Sequence, residues 1–130
     1  MRAGEFPPRV VRLVFEVRDG ESCFNCGRGL LWHERGTGWS MHHRRARGMG
    51  GTKETWVGQP GNALTLCGSG TTGCHGWVET HRDTAYEHGL LVRRHSLDLP
   101  VNVPVRNQAG VWFWLTDWGS RIEVGEDVKF

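Results

Sequence analysis

Nine side chains between Cys23 and Glu79 have the types and spacing for metal and phosphate chemistry. Four are thiols in two groups, Cys23-Phe-Asn-Cys26 and Cys67 to Cys74. Zinc prefers a tetrahedral shell of soft thiolates, and short-spaced pairs supply one with little loss of chain entropy. The first pair has the two-residue spacing of a knuckle. The second is wider, but Gly68, Gly70 and Gly73 lie between its cysteines and let the chain close. A full thiolate shell leaves no vacant coordination position, so this zinc is expected to be structural.

His42 and His43 are adjacent, and His75 directly follows Cys74. Side chains alternate in an extended segment, so one histidine of the pair can face a metal while the next faces an attacking water, provided the strand bends there. Phosphodiester hydrolysis needs an activated water, a sink for transition-state charge and help for the leaving oxygen. A neutral imidazole can take a proton from water near pH 7, which makes His43 a candidate general base. His75 would be a metal ligand fixed to the zinc site through one peptide bond. Glu79 lies one helical turn later on the same face, as a third ligand, a water-mediated contact or a surface glutamate. Two imidazoles favour Mn, Co, Ni or Zn over Mg, which prefers oxygen, although waters and phosphate can complete a Mg shell.

The net charge of +2 is too small to argue a partner. Its distribution says more. From Arg28 to Lys53 there are six cations (Arg28, Arg35, Arg44, Arg45, Arg47, Lys53) and one acid, Glu34, around the histidine pair. Such a stretch suits a polyanionic substrate, or forms a solvated cationic loop. Residues 1–8 contain no apolar run long enough for a signal peptide, and no segment approaches a membrane span. A reducing cytoplasm is therefore expected, where a C-x2-C pair holds metal rather than a disulfide.

The elements that must carry these residues are short, as expected of a single domain of 130 residues. Residues 9–18 fit two patterns. Val11, Leu13, Phe15 and Val17 alternate as in a strand, while Val10, Val11, Val14 and Phe15 share a helical face behind Pro8. Asp19-Gly20 ends the element either way. Residues 38–43 are expected to form a strand ending in the histidines, and 44–61 a long Gly-rich loop. Ala63-Leu-Thr-Leu66 is a strand entering Cys67. Helices are expected from about Cys74 to Thr80 and from Asp83, an N-cap, to Gly89. Leu90-Leu-Val92 reads as a strand, and Pro100 to Pro104 as extended chain. Residues 111–115 and 121–124 read as a hairpin around Asp117-Trp-Gly-Ser120. The seven tryptophans suit a core more than a base-stacking surface.

With these parts the chain resembles the HNH endonucleases, the ββα-metal or His-Me finger nucleases, over roughly residues 9–92. The motifs that carry the resemblance are Cys23-x2-Cys26, His42-His43, Asn62-Ala-Leu-Thr-Leu-Cys67 and Cys74-His75. It resembles in particular a phage and actinobacterial subset with His42-His-Arg-x-x-Arg-Gly-Met-Gly-Gly51 and Cys67-Gly-x-Gly-Thr-Thr-Gly-Cys-His-Gly76. The resemblance implies an α+β fold: a small ββα-metal core stapled by the four-cysteine zinc site, with a C-terminal β-hairpin extension at about 100–130. It implies His42 and His75 as ligands of a catalytic divalent ion and His43 as the base. Asn62 would tie the loop and orient that base. Many relatives have Asp where this chain has His42. Arg44, Arg45 and Arg47 would touch DNA phosphates, with glycines 48, 50 and 51 allowing close approach. Products with 5′-phosphate and 3′-hydroxyl ends would follow.

Relatives of the subset are encoded beside terminase genes, which implies DNA processing or packaging, with terminase and portal proteins as partners in a phage-infected or bacterial cell. Two readings compete with the nuclease: a noncatalytic zinc-finger DNA-binding module and a packaging accessory factor. An all-thiolate zinc site needs none of the three histidines, which favours the nuclease.

Overall fold

The computed structural model describes residues 5–46, 54–94 and 96–125. It is a small α+β arrangement with one two-stranded and one three-stranded antiparallel sheet. The first helix, α1 (Pro8–Arg12), starts at a proline, whose missing N–H costs nothing in a first turn. It continues as a wider π-type segment, Leu13–Arg18. The helical pattern therefore wins over the alternating one. Val10, Val11, Val14 and Phe15 are buried together, whereas Val17, which strand alternation would turn inward, is 70% exposed.

Strands β1 (Trp39–His43) and β2 (Ala63–Cys67) pair in a register that sets Trp39 opposite Cys67 and His43 opposite Ala63. Every residue of β2 is buried, because the strand lies between two apolar clusters. Leu64 and Leu66 pack with Val78, Ala85 and Leu90. Ala63 packs with Trp39, Phe15 and the valines of α1. Each buried leucine contributes roughly 1.5–3 kcal/mol. Phe15 stacks on Trp39 at 4.3 Å between ring centroids. Arg18 and Asp19 form a buried ion pair at 2.9 Å. Arg18 also donates to the carbonyls of Pro60 and Ala63, and Asp19 accepts the Thr65 amide, so the pair fastens the end of the π-type segment to the start of β2.

After β2 the chain turns at Gly68 (φ +84°), where a Cβ would collide with the backbone of Thr72. The turn leads into α2 (Gly73–Thr80) and then α3 (Arg82–Glu87). Gly89 (φ +71°) ends that run where a Cβ would strike the Pro104 carbonyl. Leu90 to Val92 do not form the expected strand. They are a buried connection held by Leu91 N to the Ala85 carbonyl and Val92 N to the Arg44 carbonyl. Pro100–Asn102 is a 3-10 turn, not extended chain, since a proline at its first position supplies a compatible φ. The C-terminal sheet holds the expected hairpin, β4 (Trp112–Leu115) with β5 (Arg121–Glu123), and adds β3 (Val105–Arg106) on the other edge of β4. No helix among the described residues is long and apolar enough to cross a membrane.

Candidate metal centres

Cys23 and Cys26 sit in the turn after the first helical segment, Cys67 ends β2, and Cys74 begins α2. Their four sulfurs lie within 4.8 Å of one another. The Cys26 and Cys67 sulfurs are 3.8 Å apart. A Zn–S bond of about 2.3 Å gives a tetrahedral S–S edge of about 3.8 Å, so the cluster has the dimensions of a four-thiolate zinc site. The Cys74 amide points at Cys67 Sγ at 3.3 Å, and Asn25 Nδ2 at Cys74 Sγ at 3.4 Å, as donors to thiolate would. A hydrogen bond from Cys74 and then burial push the Cys23 thiol well above its ordinary range, and burial raises Cys67. A divalent cation reverses that preference by binding the deprotonated sulfurs.

The second cluster lies on the strand and helix that flank the first. His42 on β1, His75 in the first turn of α2 and Glu79 one turn on offer a ring nitrogen each and a carboxylate oxygen, all within 4.8 Å. The two rings meet edge to face at 5.3 Å. His42 Nε2 is 2.9 Å from the Leu90 carbonyl. A carbonyl only accepts, so Nε2 carries the proton and Nδ1 is left with its lone pair. His75 Nδ1 is buried with no hydrogen-bond partner among the described residues. A buried orphan nitrogen is costly, and a cation would satisfy it. Burial pushes His42 down to about 3, and burial also lowers His75 against the opposing pull of Glu79. Both imidazoles are thus neutral at pH 7, the form that binds metal. Two nitrogens and one oxygen fit a divalent transition ion with positions left open.

His43 lines the same cleft, of about 580 Å³, as His42, His75 and Glu79. It is half-buried, and its ring stacks on Phe6 at 3.9 Å with a 16° interplanar angle. Asn62 is buried and spans two segments. Its Oδ1 accepts the Arg45 amide, and its Nδ2 donates to the carbonyls of Arg45 and Val57. The Arg44 amide donates to the Asn62 carbonyl, which completes a strap across the residues after His43.

Arg44 departs from the expected phosphate contact. It is fully buried, and its guanidinium donates to the carbonyls of Gly61, Gly89, Pro100 and Val103. Those bonds join the strap, the end of α3 and the C-terminal segment, and none of its surface is left for a ligand. Arg45 is half-buried over Trp56, and Arg47 lies outside the described residues, as do glycines 48, 50 and 51, Lys53 and His95. His81 stacks on Trp77 and binds back to Thr80. His88 meets Arg106, and His33 is exposed. None of these three joins the His42 cluster. Phe6 and the Leu90 carbonyl carry no signal in the sequence, because each contacts the site only through chain reversal.

No protein-family model, curated protein or solved structure matches this chain.

Proposed function

We propose that the chain is a metal-dependent endonuclease of the HNH type that hydrolyses DNA phosphodiester bonds. The observation that carries this reading is the convergence of His42, His75 and Glu79 on one point, with His43 lining the same cleft. The chain order β1, β2, α2 around that point agrees with the ββα-metal arrangement that the resemblance implies.

His42 and His75 would hold a divalent ion such as Mn, Mg, Ni, Co or Zn, with Glu79 as a third donor. When bound, that ion supplies Lewis-acid stabilisation of the scissile phosphate and the leaving oxygen. The residues around it have separate tasks. The Leu90 carbonyl fixes the tautomer and the plane of His42. His43, stacked on Phe6, takes a proton from the attacking water. Asn62 holds the chain just beyond His43, so the imidazole is carried on a fixed segment. The four thiolates would hold a structural zinc that anchors Cys74 and therefore His75. By resemblance, the setting is phage-type DNA processing or packaging beside terminase and portal proteins.

Plasmid cleavage in Mn, Mg, Ni or Co tests the reading. His43→Ala should lose about 10²–10⁴-fold in rate while both clusters still bind metal. Unchanged cleavage in that variant removes His43 as the base. An intact plasmid with the unaltered protein in every ion tried would instead make the chain a noncatalytic zinc-bound DNA-binding module or packaging accessory.

A further inference from the structure

The burial of Arg44 leaves open which cations meet the substrate. Arg82 and Arg94 line the cleft beside His42, His43, His75 and Glu79. Arg82 Nη1 donates to Glu79 at 2.9 Å and Nη2 to the Tyr86 hydroxyl at 3.1 Å. Arg93 lies over the Tyr86 ring, 4.3 Å from its centroid, and Arg82 approaches the same ring at 5.7 Å. Beside Arg94, Arg45 lies over Trp56 at 4.6 Å, and its Nη2 donates to the Arg94 carbonyl at 2.7 Å. Arg82, Arg93 and Arg94 are exposed.

Arg82 and Arg94 thus line the cleft, Arg93 packs on Tyr86, which lines it too, and Arg45 is tied to the Arg94 backbone, while Glu79, claimed by the metal cluster, is the single acid among the described residues lining it. Like charges gathered around a concave site repel one another and focus a positive potential that an anion relieves. Stacking on an aromatic ring holds a guanidinium plane and aims its N–H edge, which at Arg82 and Arg45 is shared with Glu79, Tyr86 and the Arg94 carbonyl and still has donors to offer phosphate oxygens. The same stacking engages Trp56 and Tyr86 with arginine, whereas a protein that reads single-stranded bases presents aromatic faces to them.

We infer that Arg45, Arg82, Arg93 and Arg94 form a clamp on the polynucleotide backbone, gripping phosphates that flank the scissile bond and reading no sequence. This rests on the nuclease reading only for the position of the scissile bond; the clamp itself requires backbone binding alone. Phosphate contacts fix register without carrying sequence information, so cleavage should tolerate many sequences.

The test uses the full zinc-loaded chain and two labelled DNA duplexes of unrelated sequence, with binding measured in Ca²⁺ across a salt series. Arg93→Gln and Arg94→Gln are the variants, because both side chains are exposed and neither hydrogen-bonds a proposed metal ligand. Each should weaken both duplexes by the same factor and flatten the slope of log K against log salt by about one phosphate's worth, near 0.9. Melting temperature and Mn²⁺ binding should not move. Unchanged affinity and slope in both variants would overturn the clamp, as would a loss confined to one duplex. The two proposals fail differently. Intact salt-dependent binding without cleavage sinks the nuclease and keeps the clamp. Cleavage with variant-insensitive binding does the reverse.

Discussion

The two ligand clusters share α2 and differ in how complete they are. The thiol cluster has four donors of one kind, drawn from a turn, a strand end and a helix start, and it closes on itself. The histidine cluster has three donors of two kinds beside an open cleft. A saturated shell leaves coordination with nothing to do but hold chain together, whereas an incomplete one leaves positions for water and phosphate. Adjacency couples them: Cys74 and His75 are neighbours, so the closed site sets the position of a donor in the open one.

The largest effect should come from breaking the closed cluster. Cys67→Ser removes a donor from the end of β2, where the strand meets α2. Apparent binding free energies for structural zinc in small peptides are on the order of 10–16 kcal/mol, so the variant should lose zinc and the cooperative thermal transition together. His75→Ala should keep zinc and fold while losing the second metal. If Cys67→Ser melts like the unaltered chain, the thiols are not a staple and the contrast collapses.

Acid should separate the clusters next. His42 has an ordinary value of 6.5 and is held down to about 3 by burial. Above 6.5 the ring is neutral in both folded and unfolded chains, so no stability depends on it. Between 6.5 and 3 the unfolded ring takes a proton that the folded one refuses, so stability falls as pH drops through that window. Urea midpoints from pH 7 to 4 should fall less in His42→Asn than in the unaltered chain. In parallel, calorimetry in buffers of different ionisation enthalpy should show protons released when zinc enters the thiol cluster at pH 7, since Cys23 and Cys67 hold theirs, and almost none when Mn²⁺ enters the histidine cluster. Equal proton release from both would erase the distinction.

The smallest effect concerns Glu79. It is partly exposed and shared with Arg82, so Glu79→Gln should lower Mn²⁺ affinity by only about tenfold, or roughly 1.4 kcal/mol, without touching zinc. A loss as deep as that of His75→Ala makes Glu79 a full ligand. No loss makes it a surface partner of Arg82.

Much of the arrangement was legible in local signals. The C-x2-C spacing, the adjacent histidines and the Cys74-His75 step named both clusters, the strands at 38–43 and 63–66 were expected where β1 and β2 lie, and alternation placed the β4–β5 hairpin. Asn62 makes its side-chain bonds to the backbone of Arg45 and Val57. Other signals left two readings open or misled, because they depend on what packs against them. Val11 to Val17 alternate well enough for a strand, yet the core accepts Val10, Val11, Val14 and Phe15, and only a helix presents that set. Leu90 to Val92 are apolar because they are buried, not because they pair with a neighbour.

The donor types of the two clusters were a property of the sequence, since thiolate sulfur and imidazole nitrogen are fixed by residue identity. The fate of each arginine was not. Arg44 was expected to meet phosphate, but the fold encloses it, as it does Arg18, among carbonyls of segments remote in the chain, and a guanidinium tolerates burial only when such acceptors surround it. The exposed set passes to Arg82, Arg93 and Arg94, which carry no motif. Charge is written into a chain residue by residue, while its access to solvent is decided by the long-range contacts that close around it.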